Sequence, residues 1–334
     1  MNPSFLRRLV PTTLAVLLAA FGVCEATAQQ ADVRCENAVI PFETATLEKI
    51  VREPTSVLEE GEEFWKREVP LILVQGWADE VGSRDPYGRF RERVSDLARL
   101  SEEERAGHPL LRMTETIVAR QAEWRDGAVP HLCSYFPANV DLSRPAYFIA
   151  FVPPRAFATG DGNVIDVASE YWHGNPDNIL NSLVHEYFHI GYGQMRRRRS
   201  EEPLEDEQLY RMLDMVHNEG LAVWVTYRAR SVFPAPNEVD NDLLDNPEDV
   251  TRLLGALNEL LAQSTVMEAN ALRRLAWRVG VTDRAYYIVG AHMARTIEAE
   301  RGRDAVIGTM HEGPLAYVTL YNSLVPEERR VRLP

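Results

Sequence analysis

The spacing of apolar and polar positions predicts a mostly helical chain with one short β-rich stretch. From about residue 43 to 128, apolar residues recur at helical intervals between prolines and glycines. Residues 146–152 and 163–167 instead favour two strands, which could form a hairpin or include a sheet edge that aligns a peptide. After about residue 175, the pattern predicts roughly five helices. We therefore expect an α+β fold in which helix predominates.

The first 28 residues are typical of a signal peptide. The basic pair Arg7 and Arg8 precedes a short apolar stretch, which ends in the small residues of a cleavage site. We therefore expect export to the periplasm or to the outside of a bacterial cell. Val23 stands where a lipid-attachment motif needs a small residue, so lipid anchoring at Cys24 is not expected.

Export would place the two remaining cysteines, Cys35 and Cys133, in an oxidising compartment. A bridge between them would close a loop of roughly 100 residues, which contributes ~4–5 kcal/mol in the chain-entropy account. We therefore predict a Cys35–Cys133 disulfide.

The charge balance excludes one class of partner. The chain has 50 acidic and 36 basic residues, for a net charge of −14. Proteins that bind nucleic acid need a basic face, so no nucleic-acid partner is expected. No later segment reaches the roughly 18 apolar residues of a membrane span, so the mature chain is predicted to lack a transmembrane segment.

The sharpest chemical signal is His185-Glu186-Tyr187-Phe188-His189 within a predicted helix. Residues four apart lie on nearly the same helix face, ~6 Å apart along the axis. His185 and His189 can therefore bind one Zn²⁺ at ~2.1 Å. Glu186 projects toward the same side, where it can accept the proton of a zinc-bound water.

A second predicted helix offers a third ligand. Glu219 stands in an otherwise apolar stretch, where a carboxylate is costly to bury unless it is paired or metal-bound. Two histidines and one glutamate leave a fourth position open, as in catalytic zinc sites. His217 is the rival ligand, but it points to nearly the opposite helix face. Asn218 and Asp214 are candidates for orienting the zinc-binding histidines.

These segments resemble the gluzincin metallopeptidases, the group that contains thermolysin and the aminopeptidase N family. The likeness rests on His185-Glu186-x-x-His189 and on Asn218-Glu219-Gly220-x-Ala222. The resemblance implies that the two histidines and Glu219 bind one zinc ion, with Glu186 as the general base. The G-A-M-E-N signature of aminopeptidase N enzymes is absent, so their specificity is not implied.

A further match involves Tyr287-Ile288-Val289-Gly290, which is similar to the Y-x-x-G segment of the same group. The resemblance implies that Tyr287 donates a hydrogen bond to the oxyanion of the tetrahedral intermediate. From the sequence alone, Tyr286 and His292 are alternatives, because either could face the cleft.

The chain as a whole resembles bacterial exported proteins classed as zinc-dependent peptidases. This resemblance implies a zincin-like catalytic domain over residues 141–334, with a small sheet and an active-site helix. A helical region over residues 29–140 would precede it.

The resulting hypothesis is an exported zinc metallopeptidase that acts on peptides or proteins. One alternative is a zinc hydrolase of another amide or ester. The other is a non-catalytic periplasmic binding protein on a gluzincin scaffold. The presence of Glu186 argues against this alternative, because that residue binds no zinc and would be needed only for catalysis.

Overall fold

The computed structural model describes residues 40–68, 85–152, 155–158, 162–173, 176–198, 206–230 and 239–334. The predicted signal peptide, Cys24 and Cys35 lie outside these ranges. Cys133 is buried at the end of a helix, and its bridge to Cys35 stays a prediction. Among the described residues, no helix is both long enough and apolar enough to cross a membrane.

Helices form most of the described chain, which confirms the predominantly helical α+β class. Those before the main strands are α1 (Ala45–Arg52), α2 (Pro54–Glu60), α3 (Glu62–Glu68), α4 (Pro86–Arg99), α5 (Glu102–Ala106) and α6 (Pro109–Cys133). Those after them are α7 (Glu170–His173), α8 (Asp177–Arg196), α9 (Glu207–Ala229), α10 (Val239–Asp245), α11 (Pro247–Ala262), α12 (Ala269–Ala276), α13 (Ala285–Arg301), α14 (Arg303–Glu312) and α15 (Pro314–Leu324). A π-helical turn (Trp277–Thr282) follows α12 directly.

Prolines and glycines divide these helices. Pro54 begins α2 and Pro109 begins α6, at two of the breaks that the sequence predicts. After residue 175, the described ranges contain eight α-helices, so the prediction of roughly five was too low. The difference arises partly because Gly302 and Gly313 take left-handed conformations, with φ of 81° and 100°, which end α13 and α14.

Four short strands form one mixed sheet. They are β1 (Phe42–Glu43), β2 (Ala146–Ile149), β3 (Ala156–Ala158) and β4 (Asn163–Asp166), in the spatial order β1-β2-β4-β3. Strands β1, β2 and β4 are parallel, whereas β3 pairs antiparallel with β4 in the register Phe157↔Val164.

Both predicted strands are present, but their predicted arrangement was wrong. Strands β2 and β4 pair in parallel, so they do not form a hairpin with each other. Both lie inside the sheet, and the edge next to β4 is β3. The sequence pattern did not predict β3, because three residues are too few to show an alternating period.

Helices α9 and α13 approach each other closely enough for their backbones to touch. A Cβ added to Gly220 would lie 2.3 Å from Cα of Gly290, and one added to Gly290 would lie 2.1 Å from the carbonyl oxygen of Val216. Only glycine permits this approach. The contact fixes the helix that carries Glu219 against the helix that carries Tyr287.

The N-terminal helical region contacts the rest of the fold at several points. Phe42 in β1 pairs with Ala146 in β2, and Nε2 of His131 lies 2.6 Å from the carbonyl oxygen of Val225 in α9. Phe136 lies against Gly191, where an added Cβ would be 2.4 Å from its ring. The domain boundary at residue 140 stays a prediction, and these contacts cross it.

Candidate metal centre and cleft

Two neighbouring helices bring the three predicted ligands together. His185 and His189 lie one turn apart on α8, and their rings are 4.7 Å apart between centroids. Nε2 of each histidine lies 3.4 Å from the same carboxylate oxygen, Oε2 of Glu219 on α9. The ligand atoms of all three residues lie within 4.8 Å of one another.

This arrangement fits a zinc ion. Two ligand atoms that are each ~2.1 Å from a tetrahedral zinc ion lie about 3.4 Å apart. The two nitrogen–oxygen distances have that value. The donors, two imidazole nitrogens and one carboxylate oxygen, are also of the type that zinc binds when a fourth position stays open.

The charge state of Glu219 suits a metal ligand. Its side chain is almost completely buried, and burial raises the pKa of the carboxyl group. The nearby histidines act more strongly in the other direction, and together they hold the pKa of Glu219 well below its usual range. The carboxylate is therefore ionised and can bind a cation.

A hydrogen bond to Asn218 fixes the orientation of the His189 ring. Nδ1 of His189 lies 3.0 Å from Oδ1 of Asn218. Because a side-chain amide oxygen only accepts hydrogen bonds, Nδ1 of His189 carries a proton, and Nε2 is the nitrogen directed toward Glu219. Of the two candidates for this orienting role, Asn218 makes the contact. Asp214 instead accepts a hydrogen bond from Tyr192 at 2.8 Å.

The rival ligand His217 lies in a different part of the structure. Its side chain is fully buried, with Nδ1 3.0 Å from the hydroxyl of Tyr192 and Nε2 3.1 Å from the hydroxyl of Thr309. Its ring stacks on Tyr317 at 4.4 Å. Both ring nitrogens are therefore engaged in the core, on the side of α9 that faces away from Glu219.

Glu186 faces the cleft beside the two histidines, half-buried next to strand β3. It accepts a hydrogen bond from the main-chain N–H of Ala158. Burial raises the pKa of Glu186 above its ordinary value, although both histidines and this hydrogen bond act in the opposite direction. A carboxylate in this position can accept and return a proton.

Of the three candidate oxyanion donors, only Tyr287 lines the cleft. Its ring lies nearly parallel to that of His185, with 6.3 Å between centroids. Burial, with Glu219 nearby, raises the pKa of Tyr287 and keeps its phenol protonated. Tyr286 packs against Gly280 instead, and His292 contacts Tyr321.

An ion pair that the sequence did not predict lies against the ring of Tyr287. The Arg284 guanidinium lies 3.3 Å from the ring centroid of Tyr287. It is bound in turn by both carboxylate oxygens of Asp240. Because 44 positions separate the pair in the sequence, no local pattern could have indicated it. Arg284 also has a left-handed backbone, with φ of 71°, which is uncommon outside glycine.

The cleft has a volume of about 240 Å³ and a mostly polar lining. Its walls come from the start of β3, from α8 and α9, from α10 and from the start of α13. The lining residues are Arg155, Ala156, Asn181, Ser182, His185, Glu186, Val223, Thr226, Asp240, Asn241, Arg284 and Tyr287. The predicted general base Glu186, the predicted ligand His185 and the predicted oxyanion donor Tyr287 therefore share one cavity of a size that admits part of a peptide.

Comparison with known proteins gives one family. The family described as "Putative zinc dependent peptidase (DUF5700)" matches residues 109–329 of the 334-residue chain. The matched range contains every residue of the metal centre and cleft described above. No curated protein and no solved structure matches the chain.

Proposed function

The chain belongs to this family of zinc-dependent peptidases, and we propose that it is a gluzincin-type metallopeptidase that cleaves peptide bonds at the site on α8 and α9. The observation that carries the proposal is the distance of 3.4 Å from each histidine Nε2 to one oxygen of Glu219. These distances are those expected around a tetrahedral zinc ion.

In this proposal, His185, His189 and Glu219 hold one zinc ion. When bound, zinc polarises the scissile carbonyl and lowers the pKa of the attacking water toward ~7. Glu186 accepts the proton of that water and passes it to the nitrogen of the leaving amine. Glu186 lines the same cavity as His185 and interacts electrostatically with both histidines, which supports this role.

Tyr287 donates a hydrogen bond to the oxyanion that forms when water attacks the peptide carbonyl. Its phenol is protonated, and stacking on Arg284 fixes its ring. A donor that is held in place before the reaction begins stabilises such an oxyanion by roughly 3–4 kcal/mol.

Strand β3 favours a peptide over another amide or ester. It is an edge of the described sheet, so its outer main-chain groups can pair with an extended chain. The hydrogen bond from Ala158 to Glu186 brings the end of this strand to the reacting groups.

We also propose that the protein is exported, with residues 1–28 removed, and that Cys35 and Cys133 then form a disulfide. The N-terminal residue and the thiol content of the exported protein test these two proposals.

The peptidase proposal predicts that Glu186→Gln abolishes cleavage while zinc remains bound, because the amide cannot accept the proton and Glu186 is not a ligand. Cleavage of a peptide library should fall by at least about 10²-fold, with one zinc per chain by metal analysis. The control is Glu259→Gln, which removes an exposed carboxylate on α11 and should leave activity intact. Full cleavage by purified Glu186→Gln protein would contradict the mechanism.

A further inference from the structure

Arg155 has a fixed position at the entrance of the cleft. It stands directly before β3, and its carbonyl oxygen accepts a hydrogen bond of 2.9 Å from the main-chain N–H of Asp166. Its side chain is exposed and lines the same cavity as His185 and Glu186. The charge of Arg155 is therefore presented to whatever enters the cleft.

Two aromatic rings hold the guanidinium in place. It lies 3.7 Å from the ring centroid of Tyr171 and 5.5 Å from that of Trp172. Trp172 is fully buried, and its indole N–H donates to the carbonyl oxygen of Asp166 at 2.6 Å. A guanidinium stacked on aromatic faces keeps its edge N–H groups available for a planar, two-oxygen acceptor.

The charge of Arg155 is uncompensated within the described part of the chain, where it forms no ion pair. The second arginine of the cleft, Arg284, differs because Asp240 neutralises it. The protein as a whole carries a net charge of −14. A positively charged side chain without an ion-pair partner in the cleft is therefore not explained by an excess of basic residues.

We propose that Arg155 selects peptides that carry an acidic side chain near the scissile bond. This inference rests on the proposed peptidase function and names its class of substrate. A carboxylate offers the two coplanar oxygens that a stacked guanidinium binds best.

The structure also indicates where the acidic residue lies in the substrate. Ala158, at the end of β3, contacts Glu186, and Arg155 lies three positions earlier in the chain. At ~3.3 Å per residue, that distance along the strand is about 10 Å. A peptide that pairs with β3 therefore places its acidic side chain about three residues from the bond that is cleaved.

The test compares peptides of one neutral scaffold that differ only by glutamate or glutamine at one position within four residues of the cleavage site. The enzymes are the zinc-loaded wild type, Arg155→Gln, Arg155→Lys and the control Arg211→Gln. Arg211 pairs with Glu207 on the exposed face of α9 and is not among the cleft residues.

In the wild type and in Arg211→Gln, glutamate should raise kcat/KM about tenfold over glutamine at one position. This ratio should fall to about one in Arg155→Gln. It should take an intermediate value in Arg155→Lys, since lysine carries the charge but lacks the planar guanidinium that binds two oxygens at once. The absence of a glutamate preference in a wild type that cleaves these peptides overturns the inference and leaves the peptidase function standing. A preference for glutamate that persists in Arg155→Gln overturns the inference as well.

Binding of the same labelled peptides to zinc-loaded Glu186→Gln protein separates the two proposals. The peptidase function fails if the wild type cleaves no peptide. The role of Arg155 still stands in that case if the glutamate peptide binds about tenfold more tightly than the glutamine peptide and loses this advantage in the double variant Glu186→Gln/Arg155→Gln. Equal binding of both peptides overturns the role of Arg155.

Discussion

Tyr286 and Tyr287 are adjacent residues with very different surroundings. Tyr287 lies in the cleft near His185 and Arg284, whereas Tyr286 is almost completely buried over Gly280. Consecutive residues on a helix point about 100° apart, so one of the two tyrosines faces the cleft and the other the core. The direction of α13 thus decides which phenol can act on a substrate.

Tyr287→Phe is expected to lower kcat by about 10²-fold or more with little change in KM, because it removes a donor that acts mainly in the transition state. The matched control is Tyr286→Phe, which should leave kcat close to the wild-type value. Steady-state kinetics on one peptide, together with the zinc content of both variants, provide the measurement. Equal kcat values for the two variants would disprove the assignment to Tyr287.

At the residue scale, local spacing predicted the metal centre but not its surroundings. His185, Glu186 and His189 follow from helix periodicity, and Glu219 follows from the cost of burying an unpaired carboxylate. Arg155 and the Arg284–Asp240 pair did not follow, because folding brings them to the cleft from three separate elements. No motif in the sequence indicates that these three elements lie close together in the fold.

At the scale of elements, the contact of α9 with α13 explains the glycines of two predicted motifs. Gly220 follows the proposed ligand Glu219, and Gly290 lies one turn after Tyr287. At each glycine, the backbone of the other helix lies in direct contact. The distance between Glu219, the proposed metal ligand, and Tyr287, the proposed oxyanion donor, therefore depends on these two glycines.

Gly290→Ala should destabilise the protein by about 3 kcal/mol or more, because the new methyl group would meet backbone atoms that cannot move away. Thermal unfolding measures the effect as a lower Tm. Gly255→Ala and Gly308→Ala are the controls, since an added Cβ meets no atom within 4 Å at either position. Both should raise stability by about 0.5–1 kcal/mol. A Tm for Gly290→Ala that matches the controls would refute the backbone contact.

Sequence patterns predicted helices better than strands for a physical reason. A helix repeats its apolar spacing over many residues, and its ends are marked by residues such as Pro54 and Pro109. Strand β3 has three residues and pairs with β4 through main-chain hydrogen bonds, which leave no trace in side-chain type. The element that we propose to guide the substrate was therefore one of the two short strands that the pattern missed.

At the scale of the whole molecule, Asp166 joins the sheet to the cleft entrance. Its carboxylate accepts hydrogen bonds from the main-chain N–H groups of Phe151 and Ala168, at 2.8 and 3.0 Å. Its own main chain bonds Arg155 and the indole of Trp172. Burial nevertheless raises the pKa of Asp166 from 3.8 to about 7, so ionisation opposes folding.

Asp166 therefore predicts a pH dependence of stability. Between pH 4 and 7 the folded protein holds a proton on this residue that the unfolded chain has lost, so the pKa difference makes stability fall as the pH rises. Asp166→Asn keeps an accepting oxygen and removes the charge. Its advantage over the wild type should be larger at pH 8 than at pH 5 by on the order of 2–3 kcal/mol. Chemical denaturation at both pH values measures this, and a constant difference would contradict the prediction.

Strand β1 has only two residues, yet it covers the side of β2 that faces away from β4. A chain cut back to the range matched by the family, residues 109–329, would lack it and expose the main chain of β2. Uncovered strand edges promote association between molecules. The bounds of the family match are thus poor bounds for producing a shortened protein, and a soluble fragment should begin no later than residue 40.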